Sequence, residues 1–165
     1  MWGSHLPALL TAIGSSNGPV LELGVGYFST PALHAICGAL KRRLMSVEQN
    51  AEWCERFKYL ENPIHRIANH TNEEFFKLMG NYEHLCKWGV AFIDHSPGGA
   101  SRAEAFRILA PISSYVVVHD YHLENEEHIA PLLTGFKTVR VFNTQQPPTL
   151  VASLNYELPE SADQL

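Results

Sequence analysis

The sequence predicts an α/β fold, a doubly wound and mostly parallel sheet that closes with a C-terminal antiparallel strand. Three observations carry this. Five short apolar runs recur along the chain without polar alternation, as in strands buried on both faces. Stretches with helix-start signals separate them, giving the strand–helix grammar of crossover units. Two further strand-like runs then follow each other too closely for a crossover, so they read as a hairpin.

In chain order, Leu6–Ile13 reads as a short covering helix closed by the Asn17-Gly18-Pro19 turn. The predicted strands are Val20–Leu23, Leu44–Val47, Ile64–Ile67, Val90–Ile93 and Tyr115–Val118. Thr30-Pro31 reads as a cap followed by proline at the first helical position, opening a helix to about Arg43. Asn50 caps a stretch through Leu60. Thr71 with Glu74, and Ser101 with Glu104, fit the capping box, in which hydroxyl and carboxylate satisfy each other's free amides. Pro111 ends the second of these helices. A helix over Glu124–Leu133 and strands near Lys137–Phe142 and Thr149–Tyr156, joined at Gln146-Pro147-Pro148, complete the chain.

At 165 residues the length suits one domain spanning 1–165, and the sequence holds no internal repeat. Twelve Lys and Arg against seventeen Asp and Glu leave a net charge of −5, which disfavours nucleic acid and anionic membrane as partners. Cys37, Cys54 and Cys86 are odd in number and widely spaced, which argues against a disulfide framework or a cysteine zinc site and for a reducing, cytoplasmic setting. No apolar run is long enough to span a bilayer, and the start at Met1 lacks the charged flank and long apolar run of a secretory signal, so a soluble, unexported protein is expected.

Ligands of such sheets bind beyond the carboxyl ends of the strands, which makes the strand-end residues the candidates. The first strand runs into Glu22-Leu23-Gly24-Val25-Gly26, with Ser29 and Thr30 at the helix start that follows. Paired glycines admit a ligand close to the backbone, and the helix start can take an anionic group; the competing reading is a tight turn that needs glycine for steric reasons alone. Glu48 ends the second strand 24 residues after Gly24, close to the spacing at which an acid takes ribose hydroxyls. Carboxylates at Glu22 and Asp94 disfavour a pyrophosphate and favour a ligand bearing a sulfonium and an ammonium, so S-adenosylmethionine (SAM) fits better than a nicotinamide dinucleotide.

The run Val20–Gly26, the acid Glu48 and the Phe92-Ile93-Asp94-His95 strand end together resemble the class I SAM-dependent methyltransferases over about residues 4–156. The resemblance implies a seven-stranded sheet with its last strand antiparallel. It places Glu22 and Gly24 by the methionine moiety, Glu48 on the ribose and Asn69-His70 beside the adenine. Asp94-His95 and Val118-His119-Asp120 are also similar to the strand-end acids of catechol-type O-methyltransferases, where two aspartates and an asparagine bind magnesium. Here the asparagine position is Tyr121, a poor oxygen ligand, which argues against a metal at Asp94 and Asp120.

Nine histidines are many for this length, and His95 and His119 fall at the ends of strands expected to be neighbours. An imidazole titrates near neutral pH and can accept the proton an acceptor sheds; His95 is the first choice for that role, His119 the second, and Asp94 the alternative. Phe75, Phe76, Trp53 and Phe57 read as core, and Glu124, Glu126 and Glu127 as a solvated helix opening. Tyr27, Phe28 and Trp88 are candidates for pocket walls, and Gly98-Gly99 for either a mobile loop or a plain turn. The expected function is SAM-dependent methyl transfer to an oxygen or nitrogen of a small-molecule acceptor, in a single chain or a homo-oligomer. The alternatives are a non-catalytic module binding SAM or its demethylated product S-adenosylhomocysteine (SAH), and a dinucleotide-dependent oxidoreductase.

Overall fold

The computed structural model describes residues 3–81 and 87–160. Seven strands, β1 (Val20–Leu23), β2 (Leu44–Glu48), β3 (His65–Asn69), β4 (Trp88–Ile93), β5 (Ser113–Val118), β6 (Thr138–Phe142) and β7 (Thr149–Ser153), form one sheet in the order β3-β2-β1-β4-β5-β7-β6. The first five are parallel, and β7 pairs antiparallel with both β5 and β6. The predicted hairpin is therefore present, with its second strand slotted between β5 and the edge strand β6.

Among the described residues six α-helices cover the sheet: α1 (Leu6–Gly14), α2 (Ser29–Leu40), α3 (Ala51–Phe57), α4 (Asn72–Asn81), α5 (Ala100–Leu109) and α6 (Glu124–Ile129). Alternate strand residues feed two cores, as the pleat requires. Val20, Leu44, Val90, Phe92, Tyr115 and Val117 pack beneath α1 and α2, while Leu21, Leu23, Val47, Ala91, Ile93, Val116 and Val118 pack against α4 and α5. Strand order reverses between β1 and β4, so the carboxyl ends of those strands open the cleft where a doubly wound sheet places its ligand.

Local chemistry corrects several predicted boundaries. Helix α2 begins at Ser29 with no side-chain cap and ends at Leu40, so Thr30 is not its cap and Arg43 lies beyond it. Lys41 turns into the left-handed region at φ 54°, which releases Arg42 to hold the carbonyls of Gly18 at 2.6 Å and Ile13 at 2.8 Å. Asn50 does cap α3, accepting from the Trp53 amide at 2.9 Å, and a 3₁₀ turn carries the chain to Leu60. The Thr71–Glu74 capping box forms with both of its bonds, at 2.9 and 3.2 Å. The one at Ser101 does not form: Ser101 lies inside α5, its hydroxyl meets His95 and Asn72, and Glu104 pairs with Arg107. Trp88 belongs to β4 and to the core rather than to a pocket wall.

Among the described residues no helix is long and apolar enough to cross a membrane. Cys37 and Cys54 are buried free thiols, while Cys86 lies outside the described residues.

Candidate functional site

Two adjoining chambers open at the carboxyl ends of β1, β2, β4 and β5, and they share Val25, Trp53 and Asp94. The first, about 380 Å³, is lined by Gly24, Glu48, Gln49, Asn50, His95 and Ser96 among others. The second, about 390 Å³, lies over Gly26 and Ser29 and is walled by His5, Tyr27, Phe28, His119, Asp120 and Pro147.

Glu48 stands on the rim of the first chamber. Its carboxylate accepts the amides of Val25 at 3.1 Å and Asn50 at 2.8 Å, one on each oxygen. A carboxylate has about four acceptor positions, so two remain for a pair of vicinal hydroxyls. Gly24 sits at φ 89°, and a Cβ there would come within 2.6 Å of the Asp94 carbonyl oxygen and 2.8 Å of the His95 Cα. Its glycine is required by the approach of the β4 backbone, which is the steric reading of that turn. Gly26 has only the Ser29 hydroxyl nearby, at 3.5 Å, and leaves the cradle open.

Glu22 does not line either chamber. It is fully buried on the α2 side of the sheet, where Thr30 donates to it at 3.0 Å and Ser46 at 2.5 Å, and Ser29 also bonds to it. Burial pushes its carboxyl up to about 7 against these three hydroxyl bonds. Thr30 also accepts the Gly26 amide at 2.9 Å, so Glu22 and Thr30 brace the glycine turn from beneath rather than contact a ligand. Ser46 continues the chain to His65 Nε2 at 2.9 Å, and His65 Nδ1 lies 3.1 Å from His34 Nδ1. Asn69 and His70 line a separate concavity along β3 and do not reach the cleft; Asn69 instead donates to the Glu48 carbonyl at 2.7 Å.

Asp94, His95, His119 and Asp120 gather around Arg102, whose side chain is only 7% exposed. The guanidinium lies 3.1 Å from Asp94 and 3.5 Å from Asp120, and donates to the main-chain carbonyls of His95 at 2.9 Å and His119 at 2.8 Å. His119 Nδ1 is 3.1 Å from the same Asp94 oxygen, and its Nε2 is 3.0 Å from the Ser4 hydroxyl. His95 reaches the first chamber; its Nε2 bonds to Ser101, its Nδ1 is buried without a partner, and burial drives its pKa down to about 4.

A magnesium ion between Asp94 and Asp120 does not fit this arrangement. A fixed positive charge already bridges the two acids, and Tyr121 is buried in the core instead of offering an oxygen. SAM does fit: a glycine-floored chamber with Glu48 on its rim suits a nucleoside, and the adjoining chamber can hold the donor's polar end beside an acceptor.

Trp53, read from sequence as core, is a cleft wall: its indole donates to the Val25 carbonyl at 2.6 Å, and Tyr27 packs edge-on to it at 5.1 Å. Tyr27, 59% exposed, and Phe28 form the mouth of the second chamber. Gly98-Gly99 forms a turn in which buried Asn125 accepts the Gly99 amide at 2.6 Å and donates to the Asp120 carbonyl. Sequence reasoning missed His5 and Arg102. For Arg102 a signal existed: a cation in the first turn of a helix opposes the macrodipole and needs another reason to be there.

No protein-family model matches the sequence, and no curated protein matches it significantly. Solved structures do. Human methyltransferase-like protein 13 in complex with SAH superposes with a TM-score of 0.70 at 15% identity, over 98% of this chain and 87% of that one. A putative O-methyltransferase from Klebsiella pneumoniae follows at 0.67 and 13%, over 93% and 80%. The O-methyltransferase TomG from Streptomyces achromogenes, in complex with SAM, gives 0.62 and 13%, over 91% and 78%. At such identities the likeness establishes the fold, that of the class I SAM-dependent methyltransferases.

Proposed function

We propose that this chain, with its class I methyltransferase fold, binds SAM in the first chamber and transfers the methyl group to an oxygen or nitrogen of a small molecule held in the second. The observation that carries this is the Glu48 carboxylate, fixed by two backbone amides on the rim of a glycine-floored cleft at the strand-order reversal. Bound SAM supplies an activated methyl group on a sulfonium.

The chain's own residues have three tasks. Glu48 accepts the ribose hydroxyls, and the Gly24–Gly26 turn sets the depth of the ligand. Tyr27 and Phe28 hold an apolar or aromatic acceptor by its faces and turn its nucleophilic atom inward. Asp94 and His119, on the wall of the second chamber, receive the acceptor's proton as the new bond to carbon forms and the sulfur–carbon bond breaks. Orientation supplies most of the acceleration. The net charge and the free thiols of Cys37 and Cys54 support the reading of a cytoplasmic setting without nucleic acid or membrane partners.

Isothermal titration tests the first step. SAM and SAH are expected to bind, and Glu48→Ala to weaken both by about 1–3 kcal/mol, through loss of a buried hydrogen-bond pair. Absence of binding by either ligand sinks the proposal, and NADH binding in their place moves it to an oxidoreductase. Binding without product across an acceptor panel marks a non-catalytic module.

A further inference from the structure

The geometry points to a divalent-metal site, separate from the cofactor reading above, in which the imidazoles of His5 and His119 and the carboxylate of Asp94 hold one ion at the wall of the second chamber. The three residues come from the turn before α1, the end of β4 and the end of β5. Each offers one ligand atom, and these atoms lie within 4.8 Å of one another.

His5 has no other role in the structure's polar accounting. It is 4% exposed and neither ring nitrogen has a hydrogen-bond partner, while its ring packs at 5.0 Å from Phe92 and edge-on at 4.6 Å to His119. A buried imidazole without a partner loses its hydration for nothing in return, and such groups are rare unless an ion or water completes them. The 3.1 Å between His119 Nδ1 and Asp94 suits a hydrogen bond, and it also suits two neighbouring ligands on one ion at bond lengths of about 2.1 Å.

The surroundings are those of a metal site as well. A ligating histidine usually gives its other nitrogen to a hydrogen-bond partner that fixes its tautomer, as Ser4 does for His119 Nε2. Arg102 holds the same Asp94 oxygen that His119 Nδ1 approaches, at 3.1 Å, which fixes that carboxylate and leaves its second oxygen for an ion. Two imidazoles and one carboxylate select a borderline cation such as Zn²⁺, Fe²⁺ or Co²⁺ over Mg²⁺ or Ca²⁺. Three protein ligands also leave positions open towards the chamber for water or an acceptor oxygen. In the metal-loaded protein Asp94 and His119 are ligands and no longer take the acceptor's proton; the ion would instead lower the acceptor's pKa so that the proton passes to water.

The test uses the whole chain stripped with a chelator and titrated with Co²⁺, followed by its visible absorption. One equivalent should bind, be displaced by Zn²⁺ and ignore excess Mg²⁺. His5→Ala and His119→Ala should each weaken binding by at least about 100-fold, and Ser4→Ala by about 10-fold. His70→Gln and His128→Gln, outside the cluster, should leave the spectrum unchanged. Melting in chelator confirms that each variant is folded, with His5→Asn as the substitute should His5→Ala not fold. No stoichiometric Co²⁺ binding, or equal binding by the His5 variant, overturns the site. SAM affinity measured on the same samples separates the two readings: its loss beside an intact cobalt spectrum overturns methyl transfer alone, and the reverse overturns the metal site alone.

Discussion

Glu22 stands on β1 and Asp94 directly after the neighbouring β4, the strands being paired so that Leu23 faces Ile93, yet their carboxylates are accommodated in opposite ways. Glu22 is 0% exposed and receives only hydroxyls, from Ser29, Thr30 and Ser46. Asp94 keeps 24% of its side chain exposed and receives a guanidinium and an imidazole. Hydroxyl bonds do not repay the lost hydration of a full charge, so Glu22 is pushed up to about 7 and serves as a brace under the glycine turn. The acid paired with Arg102 keeps its ion pair and faces the cleft. A carboxylate's partner set, and not its place at a strand tip, separates scaffold from site.

Removing Arg102 should break that contrast most severely. Arg102→Ala leaves Asp94 and Asp120 facing each other uncompensated and the carbonyls of His95 and His119 without their donor. A loss of about 3–5 kcal/mol is expected in urea unfolding, with Arg102→Lys recovering only part of it because one ammonium lacks the guanidinium's fork. An unchanged unfolding midpoint would mean that the cluster is not held by this charge.

The pH dependence of stability comes next in size. Burial holds His5, His65 and His95 at about 4 when folded, against 6.5 unfolded. Between those values the unfolded chain binds more protons, so each group's contribution grows as pH rises from about 4 to 6.5 and is lost on acidification. Glu22, at about 7 folded against 4.5 unfolded, has the opposite sign, and its contribution fades as pH rises through that window. Metal-free protein should therefore gain stability from pH 4 to about 6.5, on the order of a few kcal/mol in all, and slip slightly towards pH 7. Chemical denaturation at stepped pH measures the profile.

The smallest effect should come from Glu22→Gln. The amide keeps a carbonyl for a hydroxyl donor and has no charge to bury, so the change should cost about 1 kcal/mol near pH 4.5, where Glu22 is neutral, and nothing at pH 7, where the acid's ionisation opposes folding. It should also steepen the rise between pH 4.5 and 6.5 and abolish the slip above it. A profile unaltered by the substitution would show that Glu22 is ionised throughout and that hydroxyls suffice after all.

Much of the architecture was legible because it is written in short-range patterns. Short runs rich in Val, Ile, Leu and Phe marked the five parallel strands, Asn50 marked α3, and Thr71 with Glu74 marked α4. The same capping logic failed at Ser101, where Gly99, at φ 58°, takes the cap position because the turn must return to Asn125, and the serine hydroxyl is drawn to His95. At the site, Gly24, Gly26, Ser29, Glu48, Asp94, His95, His119 and Asp120 reach the cleft, whereas Glu22, Thr30, Asn69 and His70 do not. A strand-end position is visible in sequence; the direction its side chain takes on leaving the sheet depends on neighbours that are distant in the chain.

From its residues alone this protein was bound to be a doubly wound sheet with acids and glycines at the tips of its leading strands, because pleat, turn and cap chemistry act over a few residues. Only tertiary structure could bring His5 to Asp94 and His119, or thread Arg102 between two acids. Those contacts join residues up to 114 positions apart, and burial together with charge pairing, which no local pattern encodes, sets what each group can do.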